Sequence, residues 1–353
     1  MTSKKQIHIA GRRISADDPP YMIAEMSANH NGNIENAYKI IKECKLAGAD
    51  AVKIQTYRPD TITLDCASEE FIIRGGLWDG RTLFDLYKQA HMPWEWHAPL
   101  FEYARKHDIT IFSSPFDKTA VDLLEDLNAP AYKIASFEAV DLSLIKYVAS
   151  TGKPMIISTG MADADEIQEA IDSAREGGCS EIAILHCVSG YPAPASDYNL
   201  RTIPDMIQRF GTITGLSDHT LNNATAITSI AMGATIIEKH VTLDRSGGGP
   251  DDSFSLEPSE LLALCTDIKS AWSAVGGVNY GRKSSEQGNA QFRRSLYFVQ
   301  DMKADDVITE DAVRSVRPGF GLPPKHLEAI IGKRLGQDVF WGTPITWDVF
   351  KKE

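Results

Sequence analysis

The sequence has no excess of positive charge. Against 36 lysines and arginines stand 48 aspartates and glutamates, a formal net charge of −12 at pH 7. DNA and RNA need a basic face, so nucleic-acid binding is excluded as a general activity. Any anionic ligand has to be held by a local cluster of cations against the global field. Long hydrophobic runs are missing too. The N-terminal MTSKKQIHIAGRR contains no apolar stretch of leader type, so no secretory signal is expected. The uncharged stretch 220–237 reaches spanning length, but Asn222, Asn223, Thr225, Thr228, Ser229 and Gly233 make it read as a helix followed by a strand. No membrane span is expected. Cysteine is sparse: Cys44, Cys66, Cys179, Cys187 and Cys265 form no C-x-x-C pair. Such an odd, scattered set suits free thiols in a reducing cytoplasm better than a disulfide framework or a zinc site. There is no GxxxxGK[ST] loop, which excludes a P-loop nucleotide, and no low-complexity tract.

What remains is a folded chain with 43% hydrophobic and 24% charged residues. Its 353 residues fit about two domains at roughly 150 residues each, or one α/β barrel of ~250 residues with a small module added. Short apolar runs at 21–26, 51–55, 109–113, 131–135, 154–158, 182–186, 212–216 and 234–240 alternate with helical patterns such as 33–47, 163–176, 222–232 and 258–275. Eight such β-then-α units predict a (β/α)₈ barrel with a parallel sheet. Residues 1–20 read as an entry segment with a hairpin, 7–9 against 13–15, closing the bottom. The wide gap at 58–93 predicts a long loop with structure of its own over the barrel mouth. The polar, glycine-rich 276–291 reads as a linker between a barrel of residues 1–275 and a small, mostly β module over 292–353.

In such a barrel, chemistry belongs at the C-terminal ends of the strands. All eight predicted strands end on polar residues: Glu25; Lys53 and Gln55; Ser113 and Ser114; Lys133, Ser136 and Glu138; Ser158 and Thr159; His186, Ser189 and Tyr191; Ser217, Asp218 and His219; Glu238, Lys239 and His240. A barrel serving only as scaffold has no need of this, so an active site is expected there. Lys53 and Lys133, with Ser114, Ser136, Ser158 and Ser217, suggest a cradle for phosphate or carboxylate oxygens. The bland alternative for each lysine is a structural ion pair. That alternative is preferred for Lys239, which an odd step from His240 points away from the lumen. His219 and His240 end neighbouring strands and suggest a divalent metal, with Glu25 and Asp218 as nearby carboxylates and open positions for substrate. Mixed nitrogen and oxygen ligands favour Mn²⁺ or Mg²⁺. His30 and His186 read as local hydrogen-bonding residues, and Arg317, in VRPGFG, reads from the residues alone as a surface arginine.

The string IAEMSANHNG, GADAVKIQTY, FSSPFD, YKIASFE, ISTGMA, LHCVSGYP, GLSDHT and IEKHVTLD, in that order, resembles the sialic acid synthase family. The segment from RRSLYF through SVRPGFG to LGQDVFWGTPI resembles that family's C-terminal antifreeze-like (SAF) domain. Within the family, FIIRGGLWDGRTLFDLY, KIASFE and SVRPGFGLPPK are most similar to the branch that makes pseudaminic acid, with the N-acetylneuraminate and legionaminic acid branches next. The resemblance implies condensation of phosphoenolpyruvate with a six-carbon amino sugar, here 2,4-diacetamido-2,4,6-trideoxy-L-altrose, to a nine-carbon 2-keto acid and phosphate. It implies phosphoenolpyruvate contacts at Lys53, Ser114, Lys133, Ser136, Ser158 and Ser217, with Ser189 standing where neuraminate synthases have asparagine. It further implies metal ligands at His219 and His240, acid–base roles for Glu25 and Glu138, and sugar contacts at Gln55, Glu138, Tyr191 and Asp251. Arg317 matches an arginine that the antifreeze-like domain of a second subunit inserts into the site, which implies a domain-swapped homodimer and replaces the surface reading. Two readings of other classes stand beside this one: a metal-independent aldolase forming a Schiff base through Lys53 or Lys133, and a noncatalytic sugar-binding protein.

Overall fold

In a computed structural model, which describes residues 5–351, the chain divides into two compact units that part between Gly276 and Gly277. The first opens with an antiparallel hairpin, β1 (Ile7–Ile9) and β2 (Arg12–Ile14). Eight parallel strands then close into a barrel: β3 (Tyr21–Glu25), β4 (Ala51–Thr56), β5 (Thr110–Pro115), β6 (Tyr132–Ile134), β7 (Met155–Ser158), β8 (Ile182–Cys187), β9 (Ile213–Asp218) and β10 (Ile236–His240). They pair in sequence order, and β10 returns to β3 with His240 beside Glu25. The (β/α)₈ expectation holds, with each of the eight apolar runs forming a strand.

Side chains alternate across a strand, and here the alternation separates two cores. Residues such as Met22, Val52, Ile54, Ile111, Ile134, Ile157, Ile184 and Ile237 pack outward against the surrounding helices. The inward set, Ile23, Ala51, Phe112, Ala131, Ile156, Ala183, Leu185, Ile213 and Ile236, fills the lower lumen together with Ile7, Ile9 and Ile14 of the hairpin. The hairpin is therefore the plug of the barrel floor. Two residues further along the strands the same inward parity reaches Glu25, Lys53, Ser114, Lys133, Ser158, Cys187 and Glu238, and four residues further it reaches Ser217 and His240. The lumen changes from apolar to polar at one level, and that level is the floor of the candidate site.

The helices begin where short polar side chains accept from free N–H groups. Asn33 caps Ile34–Ala47, Asp163 caps Ala164–Glu176 in a capping box with Glu166, and Pro258 opens Pro258–Val275. The 58–93 stretch is structured, as expected: it holds helices Pro59–Ile62 and Leu83–Ala90, two 3-10 turns, and a bridge between Ile72 and Thr82.

The second unit is small and mostly β in character. Strands β11 (Ser295–Phe298) and β12 (Val313–Val316) pair antiparallel, and bridges such as Met302 to Val339 and Leu335 to Phe350 extend the pairing. Its core is a cluster around Leu296, Phe298, Ile308, Ile330, Leu335 and Ile345. Residues 284–292, all but the last of them in the stretch read as a linker, form a 3-10 helix.

Asp218 and Lys239 show the parity rule from the other side. Both point outward from the barrel and form a buried ion pair at 2.8 Å, and Lys239 Nζ also donates to the carbonyls of Thr220 and Asn222. Lys239 is thus the structural cation expected for it. Removing one partner of such a pair strands a buried charge and typically costs about 3–5 kcal/mol. Lys239→Met should lower the unfolding free energy of the barrel, measured by urea titration, by that amount, and Lys239→Met/Asp218→Leu should recover most of it.

Candidate active site

At the polar level of the lumen, Lys53 is buried with its ammonium 2.8 Å from Glu25 Oε2 and 3.6 Å from Glu238 Oε1, and it donates to Ser114 Oγ at 3.2 Å. Lys133, equally buried, lies 3.6 Å from the same Glu238 oxygen and donates to the carbonyl of Ile134. Ser217 Oγ completes the cluster with a 3.1 Å hydrogen bond to Glu238. The two lysines are therefore ion-paired in part, as the bland reading had it, and Glu238 is the carboxylate that links them. Burial works against the charge on Glu238, but the ammoniums of Lys133 and Lys53 prevail and hold its carboxyl below the ordinary range. For Glu25 burial wins over Lys53, and the carboxyl is lifted above that range. Lys133 is lowered by burial, with Lys53 adding repulsion. One buried carboxylate is thus held charged, and its neighbour is ready to take a proton.

Hydroxyl groups surround this cluster with capacity to spare. Ser158 and Ser189 have buried Oγ atoms with no hydrogen-bond partner among the described residues, and Ser136 Oγ reaches only the Cys187 thiol, at 3.4 Å. A methyl group on Gly160 would lie 2.3 Å from Ser189 Oγ and 2.8 Å from Ser136 Oγ, so the glycine of ISTGM lets the two hydroxyls meet over one backbone. A buried polar atom left unpaired costs about 1–3 kcal/mol. Two such hydroxyls beside two ammoniums are what an oxygen-rich anion would satisfy.

His219 and His240 stand together, with ring centroids 5.4 Å apart. Imidazoles sharing one ion through bonds of about 2.1 Å have centroids no more than roughly 6.5 Å apart, so the pair is within range. The Nδ1 of His219 is engaged by the carbonyl of Val188, while Nδ1 of His240 is buried with no partner among the described residues. Burial, and then the charge of His219, push His240 well below the ordinary imidazole range, which keeps it neutral and its lone pair available. These features fit a metal ion. Among the described residues no group of three or more His, Cys, Asp or Glu side chains is placed to hold one, so the protein offers two imidazoles and leaves other positions free. Asp218, read as a nearby carboxylate, is not there: it faces outward to Lys239 because Ser217, not Asp218, carries the inward parity. His186 likewise faces outward, bonded to the carbonyl of Tyr198, and His30 accepts from the backbone of Gly32, both in the local roles expected.

Above the floor lies a cavity of about 390 Å³. A chain of hydrogen bonds crosses it: Gln55 Nε2 donates to Glu25 Oε1 and to Ser27 Oγ, each at 3.2 Å, and Ser27 donates to Asp251. The 245–249 segment before Asp251 is fixed by Gly249, whose N–H donates to buried Asp252 at 2.8 Å. Tyr191 stacks on His219 at 4.4 Å. Glu138, on the 3-10 turn after β6, has a buried Oε2 without a partner among the described residues, and burial pushes its carboxyl up to about 7. Arg317 follows directly after β12 in the second unit, exposed to solvent. Sequence reasoning gave no role to Glu238, Ser27 or Gly160. The step of two from Ile236 and from His240 was the available signal for Glu238.

Comparison with known proteins bears on this geometry. Residues 40–280 match the model of the NeuB family and residues 293–351 that of the SAF domain. The pseudaminic acid synthase of Campylobacter jejuni strain 81-176 is 41% identical over 337 residues, covering 96% of this chain and 98% of its own. That of Helicobacter pylori strain 26695 is 42% identical over 332 residues, covering 94% and 97%. Among solved structures, N-acetylneuraminic acid synthetase from Leptospira borgpetersenii is similar with a TM-score of 0.73 at 30% identity, over 82% of this chain and 96% of that one. Agreement of this length, across sequence and barrel alike, has one source: the chain belongs to the NeuB family and carries a SAF domain at its C-terminal end.

Proposed function

We propose that the chain is a pseudaminic acid synthase, which condenses phosphoenolpyruvate with 2,4-diacetamido-2,4,6-trideoxy-L-altrose to give pseudaminic acid and phosphate. The observation that carries this reading is identity of 41–42% with pseudaminic acid synthases over nearly the full length of both chains. The N,N'-diacetyllegionaminic acid synthase of Legionella pneumophila, at 32%, represents the competing acceptor. The ammoniums of Lys53 and Lys133 and the hydroxyls of Ser114, Ser136, Ser158, Ser189 and Ser217 hold the phosphate and carboxylate of phosphoenolpyruvate. Gln55, Tyr191, Asp251 and Glu138 hold the sugar. His219 and His240 would hold a divalent cation, Mn²⁺ or Mg²⁺, which when bound would supply Lewis-acid chemistry for activation of the sugar aldehyde.

In the reaction, the C2=C3 π electrons of phosphoenolpyruvate form the new bond from C3 to C1 of the sugar, the C1=O π bond breaks as its oxygen takes up a proton, and positive charge develops at C2. Water adds at C2 and gives its proton to Glu25, whose carboxyl burial lifts above the ordinary range and so makes a stronger base. The C2–O bond to phosphate then breaks, leaving the ketone, while the lysines and serines hold the departing phosphate. Glu138 takes the proton of the anomeric hydroxyl as the sugar ring opens. Arg317 reaches the sugar from a second copy of the chain in a domain-swapped homodimer. Among the described residues no helix is long and apolar enough to cross a membrane, and all five cysteines are free, which supports a cytoplasmic enzyme.

The decisive assay is phosphate release with N-acetylmannosamine, the altro-diacetamido sugar and the manno-diacetamido sugar as acceptors. The altro sugar should be used best, and preference for either of the others overturns the assignment. His219→Ala and His240→Ala should each reduce turnover by about 10²-fold or more, on the scale of losing a key charge-stabilising group; robust activity of either variant in EDTA would count against the metal role. Arg317→Ala should raise KM for the sugar and leave phosphoenolpyruvate binding, measured by calorimetry, intact. The pH dependence follows from Glu138 as a base: the carboxylate is the active form, so kcat/KM for the sugar should rise as pH passes upward through about 7. Glu138→Gln should lower activity and remove that limb.

A further inference from the structure

The cavity above the floor is built from two kinds of chain. Its polar lining, Gln55, Glu138, Tyr191, His240 and Asp251 among it, comes from strand ends and the loops directly after them. Much of its apolar lining comes from the inserted stretch between β4 and β5: Ile62, Trp78, Leu86 and Ala90, with Tyr87 of the same stretch turning its phenol toward Glu138 on the polar side. Ile62, Leu86 and Ala90 carry no side-chain hydrogen-bonding atom. Trp78 has one, but its indole N–H is already given to the carbonyl of Pro250 at 3.1 Å, so it offers the cavity a ring and no donor. That bond also ties the insert to the segment carrying Asp251, which fixes the wall relative to the polar side. Leu86 is buried at 6% exposure and Ile62 is half-buried, so the wall is packed and not a fringe of loose loop residues.

We propose that Ile62 and Leu86, backed by Trp78, form the specificity wall that reads the C6 methyl of the acceptor sugar and discriminates against a C6 hydroxymethyl. This rests on the acceptor reading above. The argument is one of direction. The carbon that reacts is C1, and the groups that serve it, His240 and the lysine cluster, are at the floor. C6 is the opposite end of the open chain, five bonds away, and in this assignment it lies against the apolar lining that the insert supplies. A methyl there needs no partner. A hydroxymethyl gives up water hydrogen bonds and finds no free donor or acceptor on Ile62, Leu86 or Trp78 to replace them. Hydrophobic pockets reject an added hydroxyl only to a limited degree, about 10²-fold at most, so the wall sets a preference between sugars that share both acetamido groups.

The test compares kcat/KM for 2,4-diacetamido-2,4,6-trideoxy-L-altrose with that for its 6-hydroxy counterpart in the wild-type enzyme and in Ile62→Thr, Leu86→Thr and Leu86→Met, all as the full chain. The wild-type ratio should favour the 6-deoxy sugar by about 10- to 100-fold. Ile62→Thr and Leu86→Thr should each lower that ratio by about tenfold, with KM for phosphoenolpyruvate unchanged, and Leu86→Met should keep it within about twofold of wild type. Should Leu86→Thr fail to fold, the half-buried Ile62→Thr carries the comparison. If wild type uses neither sugar, the acceptor reading fails and the wall assignment with it. If wild type uses the 6-deoxy sugar but the ratio does not move in Ile62→Thr, or both sugars lose rate equally, the wall assignment alone is overturned.

Discussion

The ionic cluster of Lys53, Lys133, Glu25 and Glu238 is the constraint around which the barrel mouth is organised. Removing charges from water is expensive, and burial is repaid only by close, well-satisfied pairing. The barrel meets this by placing a carboxylate, Glu238, within 3.6 Å of both ammoniums, with Ser217 bonded to the same oxygen. Without Glu238 two lysines side by side at this depth would shed protons. With it, Lys53 is held above the ordinary lysine range: burial opposes the charge, and Glu238 and Glu25 overcome it. The pairing leaves Lys133 the less satisfied of the two, with Ser158 and Ser189 unpartnered among the described residues. A site arranged in this way is stable enough to fold and still short of negative oxygen.

How much of this was legible in the sequence depends on one period. The strand positions, the plugging hairpin and the structured 58–93 insert follow from apolar alternation and from gap length, and all three are found. Parity also decides which polar residue enters the lumen, and it was applied to Lys239 with the correct result. Applied equally to Asp218, it would have removed that carboxylate from the metal corner; applied to Glu238, two steps from both Ile236 and His240, it would have revealed the centre of the ionic cluster. What no pattern could reveal is the contact between distant segments. Ser27 bonded to Asp251 joins residues 224 positions apart, and the approach of Ser136 and Ser189 across Gly160 is visible only once three strands are closed into a ring.

The insert between β4 and β5 illustrates how a barrel of common design acquires a particular substrate. Strand ends are fixed by the closure of the sheet, so the groups that do chemistry change little without disturbing the lumen. A loop that covers the mouth is free of that restriction. Here it contributes two short helices and a tryptophan anchored to Pro250, and it turns one side of the cavity apolar while leaving the polar side untouched. Reaction and selectivity are thereby carried by different parts of the chain.

The charge balance of the whole chain makes the same division necessary. A net charge of −12 repels an anionic substrate at a distance, and screening confines that repulsion to about 8 Å at physiological salt. Attraction must therefore arise inside the mouth, where low-dielectric walls focus the field of a few cations. Lys53 and Lys133 supply it from the floor. They are also paired, so the field they offer is that of two cations reduced by Glu238 and, to the extent that it is ionised, by Glu25. Because burial lifts the Glu25 carboxyl, a proton taken up there leaves the pocket more positive. Binding of an anion at the floor and protonation of Glu25 thus favour one another by linkage.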